Sequence, residues 1–118
     1  IQQYQYEHLL DGITVIDPIS YMDMVSLERN SKAIITDSGG IQKEAYFYKV
    51  PCITLRDETE WVETVTSGWN TLISPESKDI GTLILDNIEK LPEVWPHFYG
   101  EGNTADSIIS IMKSRELC

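Results

Sequence analysis

Histidine and cysteine are scarce in this chain, with two of each among 118 residues. Cys52 and Cys118 are too few for a disulfide framework, and Cys52, set in an apolar run, reads as a small buried hydrophobe. His8 and His97 stand isolated, so no Ser-His-Asp or Cys-His set can be named. Neither lies near Glu58, Glu60 and Glu63, whose spacing matches no standard metal loop, and no metal is expected. Basic charge is thin as well: nine Lys and Arg stand against nineteen Asp and Glu, for a net charge of −10. Nucleic acids are met by clustered Lys and Arg, which argues against such a partner. A small anion is still admissible, because backbone N–H groups and one or two basic side chains can hold it locally. No apolar run approaches the roughly 20 residues needed to cross a bilayer. The opening "IQQYQYEHLL" has no basic n-region or cleavage site, so a cytoplasmic location is expected. It also has no initiator Met, and the chain is expected to be a piece of something longer.

What is present is one α/β domain, with 42% of residues hydrophobic and 24% charged. "ITVI" (13–16) reads as a short buried strand closed by Asp17-Pro18. Ser20 reads as a helix N-cap with Asp23 three residues on, and Tyr21, Met24, Val25 and Glu28 mark one face whose apolar part should lie on a sheet. "AIIT" (33–36) is a second strand, short and apolar as expected when both faces are covered. Helical pattern follows from Ile41 to Tyr48 and stops before Val50-Pro51. "CITL" (52–55) and "NTLI" (70–73) read as further strands. Ile80, Leu83, Ile84, Ile88 and Leu91 recur at helical spacing, and a last helix is expected from Thr104 to about Arg115 with Ile108, Ile109 and Met112 inward. Alternating strands and helices imply a Rossmann-like parallel sheet with helices on both faces. Such sheets bind ligands at the carboxyl ends of their strands.

The stretch "TDSGGIQKEA" (36–45) lies at one such end. Gly39 and Gly40 open the backbone to close approach, the helix start offers unpaired N–H groups and a partial positive charge, and Ser38 adds a hydroxyl. Glu44, one turn into the helix, is placed to accept from the vicinal hydroxyls of a ribose. A plainer account is equally open from these residues: Ser38 only caps, the glycines only turn, and Glu44 only favours the helix dipole. The loop is neither a Walker A nor a GxGxxG fingerprint. The next strand end leads into "RDETEWVETVTSGWN" (56–70), too charged and aromatic for a plain connection. There Arg56 can pair with phosphate, and Thr59 and Glu60 can hydrogen-bond a polar ligand. Trp61 and Trp69 read as core anchors.

The run "SKAIITDSGGIQKEAYFYKVPCITLRDETEWVETVTSGWNTLI" resembles the C-terminal domain of the non-hydrolysing UDP-N-acetylglucosamine 2-epimerases. "PISYMDMVSLERN" upstream and "FYGEGNTADSII" downstream resemble the same family in the same order. The resemblance implies a GT-B type fold of two Rossmann-like domains, of which residues 1–118 would be part of the C-terminal, nucleotide-binding one. It implies UDP and a UDP-amino sugar as ligands, with Ser38, Gly39 and Gly40 at the diphosphate and Glu44 at the ribose; Arg56 is then expected to join the UDP-binding set, and Thr59 and Glu60 to contact substrate. The family's reaction inverts C2 by eliminating UDP and adding it back, with no redox cofactor. The resemblance places the proton-transfer groups outside this chain, so no catalytic residue is assigned and the piece alone is expected to be inactive. The full protein is expected to be a homodimer, and the isolated piece to self-associate. A GT-B glycosyltransferase and a hydrolysing 2-epimerase are the rival readings. Two departures stand out. The family's common "TERPE" is here Thr59-Glu60-Trp61-Val62-Glu63, with Trp61 in place of the arginine, a version that looks like relatives acting on diacetamido-uronic sugars. "IQKE" replaces the commoner "IQEE", with Lys43 expected on the solvent side.

Overall fold

A computed structural model describes residues 6–115. Three short strands, β1 (Ile34–Thr36), β2 (Cys52–Thr54) and β3 (Asn70–Leu72), form a parallel sheet in the order β1-β2-β3. Ile34 sits opposite Cys52, and Cys52 opposite Asn70. The crossovers are helical, as parallel strands require. α1 (Tyr21–Asn30) precedes β1, α2 (Gly39–Tyr48) joins β1 to β2, and α3 (Val62–Thr66) lies between β2 and β3. α4 (Ile80–Ile88) and α5 (Thr104–Ser114) follow.

Local chemistry sets the ends of these helices. At α1 the Ser20 hydroxyl accepts from the Asp23 N–H at 3.2 Å and donates to the Asp23 carboxylate at 2.6 Å, a reciprocal cap. α2 stops at Lys49, whose φ of 57° is left-handed; the Lys49 N–H reaches the Tyr46 carbonyl and the Val50 N–H the Ala45 carbonyl. That pair of bonds closes a Schellman motif, and Pro51 prevents any continuation.

The core lies between α2 and the sheet: Ala45, Tyr46, Val50, Cys52, Ile53, Trp69 and Ile73 are buried. All of β2 is buried, as a central parallel strand should be. A strap formed by residues 94–99 covers the far side of α2. The Tyr46 hydroxyl donates to the Pro96 carbonyl, Trp95 Nε1 donates to the Tyr46 carbonyl at 2.8 Å, and Trp69 Nε1 to the Val94 carbonyl at 2.9 Å.

Several expectations are corrected. Residues 13–16 form no strand, and Ile13, Val15 and Ile16 are exposed. They have no neighbour because β1 pairs only with β2 among the described residues. For the same reason β1 is not covered on both faces, and Ile35 is half exposed. On α1 only Val25 and Glu28 are shielded, while Tyr21 and Met24 face outward. α2 begins at Gly39, two residues before the apolar pattern starts. α3 was not expected; it forms inside the charged segment. In α4, Leu83 and Leu91 beyond its end are exposed. α5 has the expected range but buries no residue, so Ile108, Ile109 and Met112 are not inward.

Candidate functional site

β1 and β2 end side by side, and their next residues form a common rim: the glycine loop after Thr36 and the segment from Leu55 to Trp61. The Thr36 hydroxyl accepts from the Ser38 N–H at 3.0 Å and turns the chain into α2. The first bond within the helix is from the Gln42 N–H to the Ser38 carbonyl, at 3.4 Å. The N–H groups of Gly39, Gly40 and Ile41 therefore precede the ladder and carry the positive end of the helix dipole. Ser38 is the N-cap residue, yet its hydroxyl makes no capping bond. It lies instead over Gly40, 3.9 Å from where a Cβ there would stand.

Gly39 lies directly beneath the tip of the flexible, half-exposed Glu60 side chain. A Cβ there would overlap the Glu60 carboxylate and come 3.7 Å from Trp61 Nε1. Glu60 also pairs with Arg56, Nη1 to Oε2 at 3.4 Å, which ties Arg56 to the carboxylate that lies over Gly39. The pair is largely solvated, and its strength is small. The Thr59 hydroxyl is engaged within the protein: it donates to Gln42 Oε1 at 2.6 Å and accepts from the Trp61 N–H at 3.1 Å. Glu44, on the second turn of α2, accepts from the Tyr21 hydroxyl at 3.4 Å, an exposed contact.

Four features escaped the sequence reading. Gln42 is fully buried and lies at the centre of a polar network. Its Oε1 accepts from Thr59 and Asn70, its Nε2 donates to the Ser38 carbonyl at 3.3 Å, and Asn70 continues to Thr54 and Thr64. The available signal was a glutamine in the helical stripe that also holds Ala45 and Tyr46. Glu28 is only 4% exposed, and neither carboxylate oxygen has a partner. Burial first, and then the Glu44 charge, push its carboxyl above the usual range. The Trp61 indole N–H is buried and unpartnered, so the tryptophan is no plain core anchor. Lys43 does not face open solvent: its Nζ lies 4.5 Å from the Trp61 ring centroid and 4.7 Å from that of Tyr99, a cation–π arrangement. Nearby, the Glu63 carboxylate is held below its ordinary value, first by its own backbone N–H and then by the Tyr99 hydroxyl. That hydroxyl sits outside strict hydrogen-bond geometry and is pushed up, chiefly by burial. Cys52 is buried as expected, and burial pushes its thiol up to about 11, which leaves it inert.

His97 packs edge-on against Trp95 and faces Glu101 at 3.9 Å. Among the described residues no three His, Cys, Asp or Glu side chains come together as a metal site. No helix among them is long and apolar enough to cross a membrane.

A parallel sheet with helical crossovers and a glycine loop at its strand ends is an α/β arrangement of the Rossmann-like type. The particular family follows from comparison. The model of the UDP-N-acetylglucosamine 2-epimerase family matches residues 2–113, and the chain belongs to that family. It is 47% identical over 107 residues to a UDP-N-acetylglucosamine 2-epimerase homolog of Methanococcus maripaludis, covering 88% of this chain and 29% of that protein. It is 41% identical over 96 residues to the UDP-2,3-diacetamido-2,3-dideoxy-D-glucuronate 2-epimerase of Pseudomonas aeruginosa, covering 81% of this chain and 27% of that one. The structure resembles the UDP-GlcNAc 2-epimerase of Methanocaldococcus jannaschii solved with UDP-GlcNAc and UDP, with a TM-score of 0.79 and 34% identity, over 96% of this chain and 32% of the other. The chain thus spans about a third or less of the relatives it matches.

Proposed function

We propose that this chain is the C-terminal, UDP-binding part of a UDP-sugar 2-epimerase. The observation that carries the reading is Ser38: an N-cap hydroxyl with no capping bond, held over Gly40 beside three N–H groups that precede the helix ladder. Helix ends of this kind hold phosphate. Ser38, Gly39 and Gly40 bind the diphosphate, with Arg56 adding charge, and Glu44 holds the ribose hydroxyls. Glu60 borders the sugar, while Thr59, expected there too, has its hydroxyl engaged by Gln42 and the Trp61 N–H. Stabilising the UDP leaving group is the contribution of this site, since elimination across C1–C2 builds charge on the diphosphate. Proton transfer at C2 belongs to the rest of the protein, which works in the cytoplasm as a homodimer of GT-B subunits. The sugar is UDP-GlcNAc, inverted to UDP-ManNAc, or a diacetamido-uronic relative. The Pseudomonas aeruginosa enzyme favours the second as an alternative worth assaying.

The test is a UDP titration of the intact protein that carries this chain. Ser38→Ala is expected to weaken UDP by roughly three- to tenfold, the worth of one hydrogen bond, while leaving the thermal midpoint nearly unchanged. If Ser38→Ala instead lowers the midpoint and leaves affinity intact, the hydroxyl is a cap and the reading fails. Analysis of products separates inversion from release of UDP and free sugar.

A further inference from the structure

Gln42 is placed to do more than fill space beneath the rim. Its amide is completely buried and bonded at both ends, the nitrogen to the Ser38 carbonyl at 3.3 Å and the oxygen to the Thr59 hydroxyl at 2.6 Å and Asn70 Nδ2 at 3.0 Å. Ser38 opens the glycine loop, and Thr59 sits midway along the segment that carries Arg56, Glu60 and Trp61. Thr59 in turn fixes the Trp61 N–H at 3.1 Å. The two segments leave different strands and are 17 residues apart at the Gln42–Thr59 bond. Backbone pairing joins the two segments where they leave the sheet, the Leu55 N–H donating to the Thr36 carbonyl at 2.8 Å; farther along the rim Glu60 reaches over Gly39 through a long, solvated side chain. A contact of the second kind holds geometry weakly. A buried amide bonded at both ends holds it more firmly, because displacing either segment strands a polar group away from water.

We propose that Gln42 is a positioning residue that locks the glycine loop to the 56–61 segment, so that the diphosphate seat and its facing wall order as one unit. This rests on the UDP reading for its functional consequence, and on the hydrogen-bond geometry alone for the mechanical link. Thr59 then acts through Gln42 and not by touching the nucleotide sugar.

Three variants in the intact protein test it: Thr59→Val, which keeps shape but deletes the hydroxyl, Thr59→Ser, which restores it, and Gln42→Leu. Two readouts are taken, UDP affinity and amide hydrogen exchange. Thr59→Val is expected to weaken UDP by roughly three- to tenfold and to speed exchange at the two bonded amides of residues 38–42, those of Ser38 and Gln42, with 52–54 unchanged. Thr59→Ser should restore both. Adding Thr59→Val to Gln42→Leu should weaken UDP no further, as expected for two members of one link. If Gln42→Leu fails to fold, the Thr59 pair still decides. Lost affinity with unchanged exchange at 38–42 means that Thr59 contacts ligand directly, and it overturns the proposal. No change in either readout overturns it too, as does faster exchange throughout the domain. Should the wild-type protein bind no UDP, the UDP reading falls by itself, and exchange at 38–42 alone decides the link.

Discussion

At the scale of single residues, the anomaly is Glu28, a carboxylate shut in beside Met24, Leu27, Ile34 and Ile41 around a recess of about 290 Å³. Its neighbours in charge are Glu44 and Tyr48, with Arg29 turned to the Tyr48 ring at 5.9 Å. A folded pKa raised above the ordinary 4.5 means that folding favours the protonated acid. The resulting stability is fully present below that ordinary value and is lost as pH rises through the raised one. Glu28→Leu, which suits the apolar lining, is expected to raise stability near neutral pH by about 1 kcal/mol. The gain should vanish as pH falls toward the ordinary carboxylate value; urea midpoints measured across that range check it. Nothing in the sequence marked Glu28 as buried, since a glutamate on a helix is ordinarily solvated. Ser38 was legible as a residue type and a position. Its choice between capping the helix and facing a ligand was not, because that depends on where one hydroxyl points.

At the scale of elements, the parallel strands and their helices were readable because each carries its own period or apolar run. The failures share one physical cause. An apolar pattern says that a face wants cover, and it does not say that cover is present. Residues 13–16 and α5 both have the right pattern and lie open. The opposite case is the 94–99 strap, which has no period at all and is held by aromatic stacking on Tyr46, with Trp95 and Phe98 centroids at 5.6 and 5.8 Å. The Tyr46 hydroxyl is its buried fastening on α2. Tyr46→Phe is expected to cost about 1 kcal/mol, the net worth of one hydrogen bond, since the Pro96 carbonyl still accepts from the Phe98 N–H at 3.1 Å. Hydrogen exchange should show residues 94–99 loosening before α2 does. Retention of full protection in the strap would mean that stacking alone holds it.

At the scale of the whole molecule, the radius of gyration is 18.2 Å, against roughly 13–14 Å for a compact chain of this length. The excess comes with apolar surface: Ile35 beside the free edge of β1, and Ile108, Ile109 and Ile111 on α5. Unpaired strand edges and large apolar patches recruit partners. The 118-residue chain on its own is therefore expected to self-associate, more so at high salt, where its net charge of −10 is screened. Sedimentation across a concentration series checks this, and a monomer throughout would mean that these faces find cover within the chain. The three tryptophans also divide the molecule optically. Trp69 and Trp95 have their indole N–H groups tied to backbone carbonyls and will report only unfolding. Trp61, its N–H unpartnered beside Gly39 and its ring under the Lys43 ammonium, is expected on the proposed UDP reading to change its fluorescence as the nucleotide binds.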